Sequence, residues 1–376
     1  MDGKKVAIQL ISTGGMYGAE RALLELASYI ADQGWDSRVV ALEGRGATEL
    51  VQRATALGLT AEAFVATGRL ALLPMMSRLR QLLRRYPRAI VHSHGYKPDI
   101  LLFLLGIPRR LACLATCHSW YSETRQLQAL EAIDKRVLRG FDHVVAVSGE
   151  ICEELHASGM SLKKISLISN GITAPSAGED AKVRVREEFG LPRSAKLIVQ
   201  IGRLARSKRN DLLVAAVANL VDAVDIHVLL VGEGDQSQAL AELVKRRGLE
   251  DRVHFCGYRD NIPQILAAAD LLALTSDKEG LPIVILEAMA MQCAIVATRV
   301  GDIPRVLGDG RDAWIVPPND VRALTEAIRA VFSRPDLAKM RAANAHLEFL
   351  RQYSRDSMGR RYLEIYHRVW AGRGWL

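Results

Sequence analysis

The feature that most constrains this chain is a rhythm: a short apolar run, a turn, then a stretch with helical apolar spacing, repeated from end to end. Strand-like runs lie at 5–11, 37–42, 89–94, 111–117, 143–147 and 164–168. Helical stretches separate most of them, as at 19–33, where Leu23, Leu24, Leu26, Ala27 and Ile30 share one side. A second series runs through 195–201, 225–231, 252–256, 270–274, 294–297 and 313–316. Such alternation predicts parallel sheets covered by helices on both faces. Between the series, residues 173–182 read TAPSAGEDAK, small and polar with Pro and Gly, which marks a linker. The expected architecture is α/β, two doubly wound domains facing across a cleft. The first spans 1–172 and the second 173–355, and a closing helix at 356–376 crosses back to the first through Tyr362, Ile365, Tyr366 and Val369.

The length of 376 residues suits two domains, and 49% apolar with 24% charged residues suits a folded chain. A net charge of +8 favours an anionic partner, such as a phosphorylated ligand or an anionic lipid surface, and does not by itself indicate nucleic acid. The five cysteines (Cys113, Cys117, Cys152, Cys256, Cys293) form no CxxC pair, and His118 beside Cys117 finds no second cluster to complete a zinc site. They read as reduced thiols, mostly small core residues. The N-terminal run lacks a signal-cleavage pattern, and Pro108, Arg109 and Arg110 interrupt the apolar stretch 99–115 before it is long enough to span a bilayer. The expected location is cytoplasmic, with a peripheral place on the inner face of the cytoplasmic membrane.

In doubly wound sheets, ligands bind beyond the C-terminal ends of the strands, so the residues just after each strand carry the chemistry. After the strand at 195–201 come Gly202, Arg203 and Lys208. An arginine fork and a compact ammonium suit a diphosphate; the plainer alternative is a solvated loop. After the strand at 270–274 the chain reads DKEGLPIVILE, with Pro282 suited to the first position of a helix. The amides near Ile283 then face outward with the helix dipole behind them, a setting for phosphate. Glu287, one turn in, leans back toward the ligand and suits ribose hydroxyls, and Glu279 in the loop suits those of a hexose. Their alternative roles are to complement the dipole and to sit in solvent. No Asp-x-Asp pair is present to hold Mn or Mg on a diphosphate, so the expected chemistry needs no metal.

In the first half, TGGMYGAER, including Gly15, follows the opening strand and permits close backbone approach. It is not GxGxxG, and no acidic residue ends the second strand as a dinucleotide site wants. His118 follows the strand at 111–117, and His92 and His94 end its neighbour; a histidine there serves a sugar hydroxyl or is structural. Between Glu62 and Asp99 lie seven basic residues and no acidic one: Arg69, Arg78, Arg80, Arg84, Arg85, Arg88 and Lys97. A helix at 77–86 sets Leu79, Leu82 and Leu83 on one side, flanked by arginines. Arg78, Arg80, Arg84 and Arg85 are therefore candidate contacts to an anionic leaflet, the alternative being a helix with leucines inward and arginines solvated.

The series GRL…K, VGEGDQSQAL, RVHFCGYRDNIPQILAAADLLAL, EGLPIVILEAMA and AIVAT, preceded by TGGMYGAER, VHSHG, VAVS and SNG, resembles glycosyltransferase family 4 over nearly the whole chain. Glu279 and Glu287 match that family's E-x7-E signature. The resemblance implies the GT-B fold, two Rossmann-like domains, and a transfer that retains anomeric configuration. It implies Arg203 and Lys208 on the donor diphosphate and Glu287 on the ribose. Glu279 and the backbone at Gly280, Leu281 and Ile283 would meet sugar and phosphate, Tyr258 and Arg259 would cradle the base through their backbone, and His118 would support the sugar. The departing phosphate would itself take the acceptor proton. Two positions depart from the pattern: GDIPR at 301–305 where many relatives read GGIPE, and Lys208-Arg209 where relatives often have Lys-Gly.

The expected function is transfer of a hexose from a nucleotide sugar, a UDP-sugar first and GDP-mannose second, to a lipid-linked or glycan acceptor in envelope or exopolysaccharide assembly. Readings from other classes are a nucleotide-sugar epimerase of the same fold and a non-catalytic subunit that binds sugar nucleotides.

Overall fold

The computed structural model describes residues 4–42, 46–64, 72–118 and 124–375. The chain forms two compact units, one of residues 1–173 with 352–376, the other of 174–351. The first holds seven strands: β1 (Val6–Ser12), β2 (Asp36–Leu42), β3 (Thr60–Phe64), β4 (Ala89–His94), β5 (Ala112–Cys117), β6 (His143–Ala146) and β7 (Ile165–Leu167). They pair in parallel in the order β3-β2-β1-β4-β5-β6-β7. The second holds β8 (Lys196–Ile201), β9 (Ile226–Val231), β10 (Val253–Gly257), β11 (Leu271–Leu274), β12 (Ile295–Thr298) and β13 (Trp314–Val316), parallel in the order β10-β9-β8-β11-β12-β13.

Of these strands, the edge strand β3 is the one the sequence pattern did not single out. Its TAEAF is short, and only Phe64 is buried. Every side chain of β4, β5, β6, β9, β11 and β12 is buried, as strands covered on both faces must be.

On one face of the first sheet, Leu79, Leu82 and Leu83 pack with Leu101, Leu102, Ile151 and Leu155. The helix Leu72–Arg84 therefore turns its leucines into the core, while Arg78, Arg80, Arg84 and Arg85 stay exposed. No leucine face is left to enter a leaflet, which corrects the amphipathic reading of 77–86; the arginines remain as a basic surface. Arg69 lies outside the described residues. Among the described residues no helix is long and apolar enough to cross a membrane.

The opposite face is covered by the helix Gly18–Asp32 and the C-terminal helix Arg355–Gly372, where Leu26, Tyr29, Ile30 and Trp35 meet Met358, Tyr362, Ile365, Tyr366 and Val369. The tail is not one continuous helix. A π turn at Phe349–Tyr353 separates Pro335–Glu348 from Arg355–Gly372, and Ser354 caps the latter by accepting from the Ser357 amide at 3.1 Å. Gly359 lets the two helices meet, since a Cβ there would fall 2.3 Å from the Tyr29 ring.

Gly359→Ala is expected to destabilise the first unit by about 1–3 kcal/mol through overpacking, read as a lowered urea midpoint. Gly372→Ala on the same helix, where a Cβ meets nothing within 4 Å, serves as the control and should leave the midpoint unchanged or slightly raised.

Candidate functional site

In the second unit the sheet order reverses between β8 and β11, and the two following helices leave in different directions. Asn210–Ala218, after β8, packs with Leu240, Val244, Leu324 and Ile328. Ile283–Ala290, after β11, instead meets Ile262–Ala268 and Pro335–Glu348. The loops between them diverge and leave a gap at the sheet edge.

Backbone contacts shape the first of these loops. Gly202 has φ 148° and its amide donates to the Val231 carbonyl at 2.9 Å. A Cβ on Gly232 would lie 2.0 Å from the Gly202 oxygen, and one on Gly234 would lie 2.2 Å from the Leu204 oxygen. Both are therefore required to be glycine, and Arg203 is held exposed at the strand mouth. The Lys208 stretch is fastened from below: the Gln200 amide donates to the Lys208 carbonyl at 3.2 Å, and the Thr275 hydroxyl lies 2.9 Å from that oxygen and 2.8 Å from the Arg209 oxygen. Arg209 is left-handed, φ 48°, which explains why glycine suits this position; its guanidinium pairs with Asp211 at 3.0 Å and with Asp277 at 3.4 Å.

The second loop meets the first through one ion pair. Lys208 Nζ stands 2.5 Å from Glu279 Oε1, which also accepts from the Ser276 hydroxyl at 2.6 Å. Both partners are largely covered, with side-chain exposures of 22% for Lys208 and 10% for Glu279, so the pair is geometrically fixed rather than a loose surface contact. Gly301, φ 52°, lies against this loop: a Cβ would fall 2.1 Å from the Glu279 oxygen. The neighbouring Asp302 amide donates to the Gly280 carbonyl at 3.2 Å. Pro282 is the N-cap, one residue outside the helix and not its first residue, and no side chain caps that end. Ile283 opens the helix, and Glu287 lies one turn in, half-buried.

The structure thus brings together Lys208, Glu279, Gly280, Leu281, Ile283 and Glu287 on the β8/β11 edge, with Arg203 on the same edge. Tyr258 and Arg259 follow β10, two strands away; Tyr258 is exposed. The Arg259 guanidinium donates to Glu188 at 2.5 Å and to the Cys256 carbonyl at 3.2 Å, so this side chain braces the helix Ala181–Glu188 and leaves only backbone to a ligand. A cavity of about 470 Å³ lies behind the Lys208 loop, lined in part by Arg206, Arg209, Gln236, Arg246 and Asp277; Arg203, Lys208, Glu279 and Glu287 do not line it.

Gly15 and His118 belong to the first unit. The Gly15 amide donates to the Thr13 hydroxyl at 3.1 Å and its carbonyl accepts from that hydroxyl at 2.7 Å, so this amide is already used within the loop. That sheet reverses order between β1 and β4, and a cavity of about 330 Å³ opens there, lined by Ser12, Thr13, Gly14, His94, Gly95, Tyr96, Lys97 and Pro98. His118 sits one strand further along and bonds His94, Nε2 to Nδ1, at 3.1 Å. Burial pushes His118 down to about 4, and His94 well below the ordinary imidazole range, so both are neutral near pH 7. Burial likewise raises the Cys256 thiol to about 11 and Cys293 to about 12, as core thiols behave.

Sequence reasoning missed Gly232, Gly234 and Gly301 as the residues that shape these loops, although the first two lie inside the quoted VGEGD run. It also missed Gln9, Thr116 and the Tyr366 hydroxyl, which bond the histidine cluster, and the Tyr362 hydroxyl, which bonds Thr116.

Two doubly wound units, one with cations and a helix start gathered at its switch point, define a nucleotide-sugar transferase architecture of the GT-B class. Comparison with known proteins agrees. The profile described as Glycosyltransferase Family 4 matches residues 16–174, and that described as Glycosyl transferases group 1 matches residues 195–334. The chain is 28% identical over 303 residues to an N-acetyl-alpha-D-glucosaminyl L-malate synthase of Bacillus anthracis, covering 79% of each. It is 26% identical over 351 residues to the lipopolysaccharide core biosynthesis glycosyltransferase LpsE of Rhizobium meliloti (strain 1021), covering 93% of this chain and 95% of that one. Crystal structures of Anabaena Alr3699/HepE in complex with UDP and with UDP-glucose superpose with TM-scores of 0.81 and 0.77, at 22% and 21% identity, each over 96% of this chain and 99% of that one. The chain belongs to glycosyltransferase family 4, whose members are retaining enzymes.

Gly301→Ala forces both a strained φ and a clash with the Glu279 carbonyl. Displacing that loop by about 1 Å is expected to lower kcat/KM for sugar transfer about 100-fold while the protein stays folded by circular dichroism.

Proposed function

We propose that this glycosyltransferase moves a hexose from a UDP-sugar to a lipid-linked or glycan acceptor in envelope polysaccharide assembly, with retention and without a metal ion. The observation that carries the reading is the 2.5 Å pair between Lys208 and Glu279, which joins the two switch-point loops beside the open start of the helix Ile283–Ala290. Lys208 and Arg203 would neutralise the departing diphosphate, helped by the helix dipole, so the positive charge needed at the leaving group is supplied by the protein. Glu279 would hold sugar hydroxyls, Glu287 the ribose, and the backbone at Gly280, Leu281 and Ile283 the phosphate and sugar. The backbone at Tyr258 and Arg259 would cradle the base, and His118 would receive a hydroxyl of the sugar. No side chain is needed as general base, since the departing phosphate oxygen takes the acceptor proton. UDP is supported as the nucleotide by the UDP and UDP-glucose complexes of Alr3699/HepE, and an envelope glycan by the lipopolysaccharide role in the LpsE name.

A thermal-shift panel of nucleotides and nucleotide sugars tests the donor. UDP or a UDP-sugar at 100 times its Kd is expected to raise Tm by about 5–10 °C. EDTA should leave that shift unchanged. Stabilisation by GDP compounds alone would move the assignment to GDP-mannose, and a shift lost with EDTA would overturn metal independence. Lys208→Met and Glu279→Gln should each lower kcat/KM by about 10²–10³-fold, and release of nucleoside diphosphate should require acceptor, which an epimerase would not show.

The exposed Arg78, Arg80, Arg84 and Arg85 would bring the protein to anionic lipid by charge alone, each adding about 1 kcal/mol near the surface. Flotation with vesicles containing phosphatidylglycerol should be lost in the triple variant Arg80→Glu, Arg84→Glu, Arg85→Glu and in high salt. Equal flotation of variant and parent removes membrane contact from the reading.

A further inference from the structure

A polar chain runs through the core of the first unit. The C-terminal helix supplies Tyr366, whose hydroxyl receives the Gln9 amide at 2.8 Å and lies 2.8 Å from His92 Nδ1. Gln9 Oε1 stands 2.9 Å from His94 Nε2, and His94 Nδ1 stands 3.1 Å from His118 Nε2. A side branch runs from His92 Nε2 to the Thr116 hydroxyl at 2.8 Å and on to the Tyr362 hydroxyl at 2.9 Å. Gln9, His92 and Tyr366 are fully buried, and His94 and Thr116 nearly so. The register explains the alignment. Gln9 faces His92 across β1 and β4, and His94 faces Thr116 across β4 and β5, all on the face that the C-terminal helix covers.

The protons along this chain are not independent. Burial keeps His94 and His118 neutral, so each ring has one N–H and one lone pair. Gln9 presents its oxygen to His94, so His94 must carry its proton on Nε2 and offer a lone pair at Nδ1. His118 Nε2 must then donate to it. What remains is His118 Nδ1, buried and without a partner. The reverse polarity would put an unpaired N–H at that buried position, the rarer and costlier of the two outcomes.

We propose that Gln9, His94 and Tyr366 are positioning residues that fix the proton of His118 on Nε2 and keep Nδ1 as a bare acceptor for a hydroxyl of the bound sugar. The inference deepens the preceding reading, in which His118 meets the sugar, and adds what sets its hydrogen-bond polarity. A sugar hydroxyl can donate to Nδ1 without any proton rearrangement, whereas an N–H there would compete for the hydroxyl oxygen instead. Selection of the tautomer therefore begins at a helix some 350 residues along the chain from β1.

The test reads the tautomer directly, by nitrogen-15 NMR of the imidazoles in the full chain, with His118 assigned through His118→Asn. The unaltered protein should show a protonated Nε2 and an unprotonated Nδ1 on His118, with no substrate present. Gln9→Glu places a carboxylate beside His94 Nε2. It should draw a second proton onto His94, whose Nδ1–H then donates to His118 Nε2 and drives the His118 proton to Nδ1. Transfer kcat/KM should fall about fivefold to a hundredfold, with the Kd for UDP unchanged. Tyr366→Phe, which keeps the ring, should give a mixture of tautomers and a smaller loss, and covers the case in which Gln9→Glu does not fold. A proton on Nδ1 in the unaltered protein overturns the proposal, as does a Gln9→Glu or Tyr366→Phe protein whose tautomer changes while kcat/KM does not. Absence of transfer from every nucleotide sugar by the unaltered protein would instead overturn the enzymatic assignment of His118, and the NMR arm alone separates that failure from failure of the proton placement.

Discussion

Parallel strands carry all their C-terminal ends to one edge of the sheet, and where the strand order reverses the connections must part to opposite faces. That constraint acts twice here, between β1 and β4 and between β8 and β11. At each place the chain has two loops that cannot close over one another, and in each unit polar side chains gather at the gap. After β8 and β11 come Lys208 and Glu279; the Thr13 turn follows β1 and His94 ends β4, with His118 after the adjacent β5. Mispairing any of these four strands would scatter those groups, so sheet order is the precondition of the site.

The two units solve the electrostatics of their switch points differently. The second uses formal charge, Lys208 against Glu279, at a place partly reached by solvent and tied by Ser276, Thr275 and Gln200. The first uses neutral groups in full burial, where an imidazolium would be expensive and burial drives His92 down to about 3. Formal charge suits stabilisation of a departing anion. A neutral chain with defined polarity suits recognition of a hydroxyl, which needs a donor or an acceptor at a set position and no net charge.

The strand rhythm made both sheets legible because strands buried on both faces read as nearly continuous apolar runs. The loop cations and the Glu279/Glu287 spacing were legible because strand ends and helix starts are local features. Other elements answer to distant partners. β3 is an edge strand whose short TAEAF gives little pattern, and the direction in which the helix Leu72–Arg84 faces its leucines is set by Leu101, Ile151 and Leu155, which no local periodicity names. Tyr362 and Tyr366 read as part of an apolar stripe, and their rings do pack in the core, but their hydroxyls find Thr116 and Gln9 across more than 240 residues. A tyrosine is apolar in body and polar at the tip, so periodicity reports the body alone. Gly232, Gly234 and Gly301 are demanded by backbone atoms of another segment, information that resides in the fold.

The two departures from the family pattern fall at positions where backbone shape is constrained. At 209 the left-handed conformation favours glycine, and a side chain there costs about 1–2 kcal/mol. Arg209 adopts φ 48° nonetheless, because its carbonyl is held by the Thr275 hydroxyl and its guanidinium pairs with Asp211 and Asp277. At 301–305 the glycine that meets the Glu279 carbonyl is kept, and the changed residues turn toward each other: Arg305 donates to Asp302 at 2.8 Å. In both places charge pairing accompanies the change of sequence, while the backbone that carries Lys208 and Glu279 is held by the contacts above. Substitutions that preserve its course can therefore be accommodated around these loops, whereas a Cβ at 232, 234 or 301 cannot be absorbed by any side-chain rearrangement, because the atom it meets is main chain.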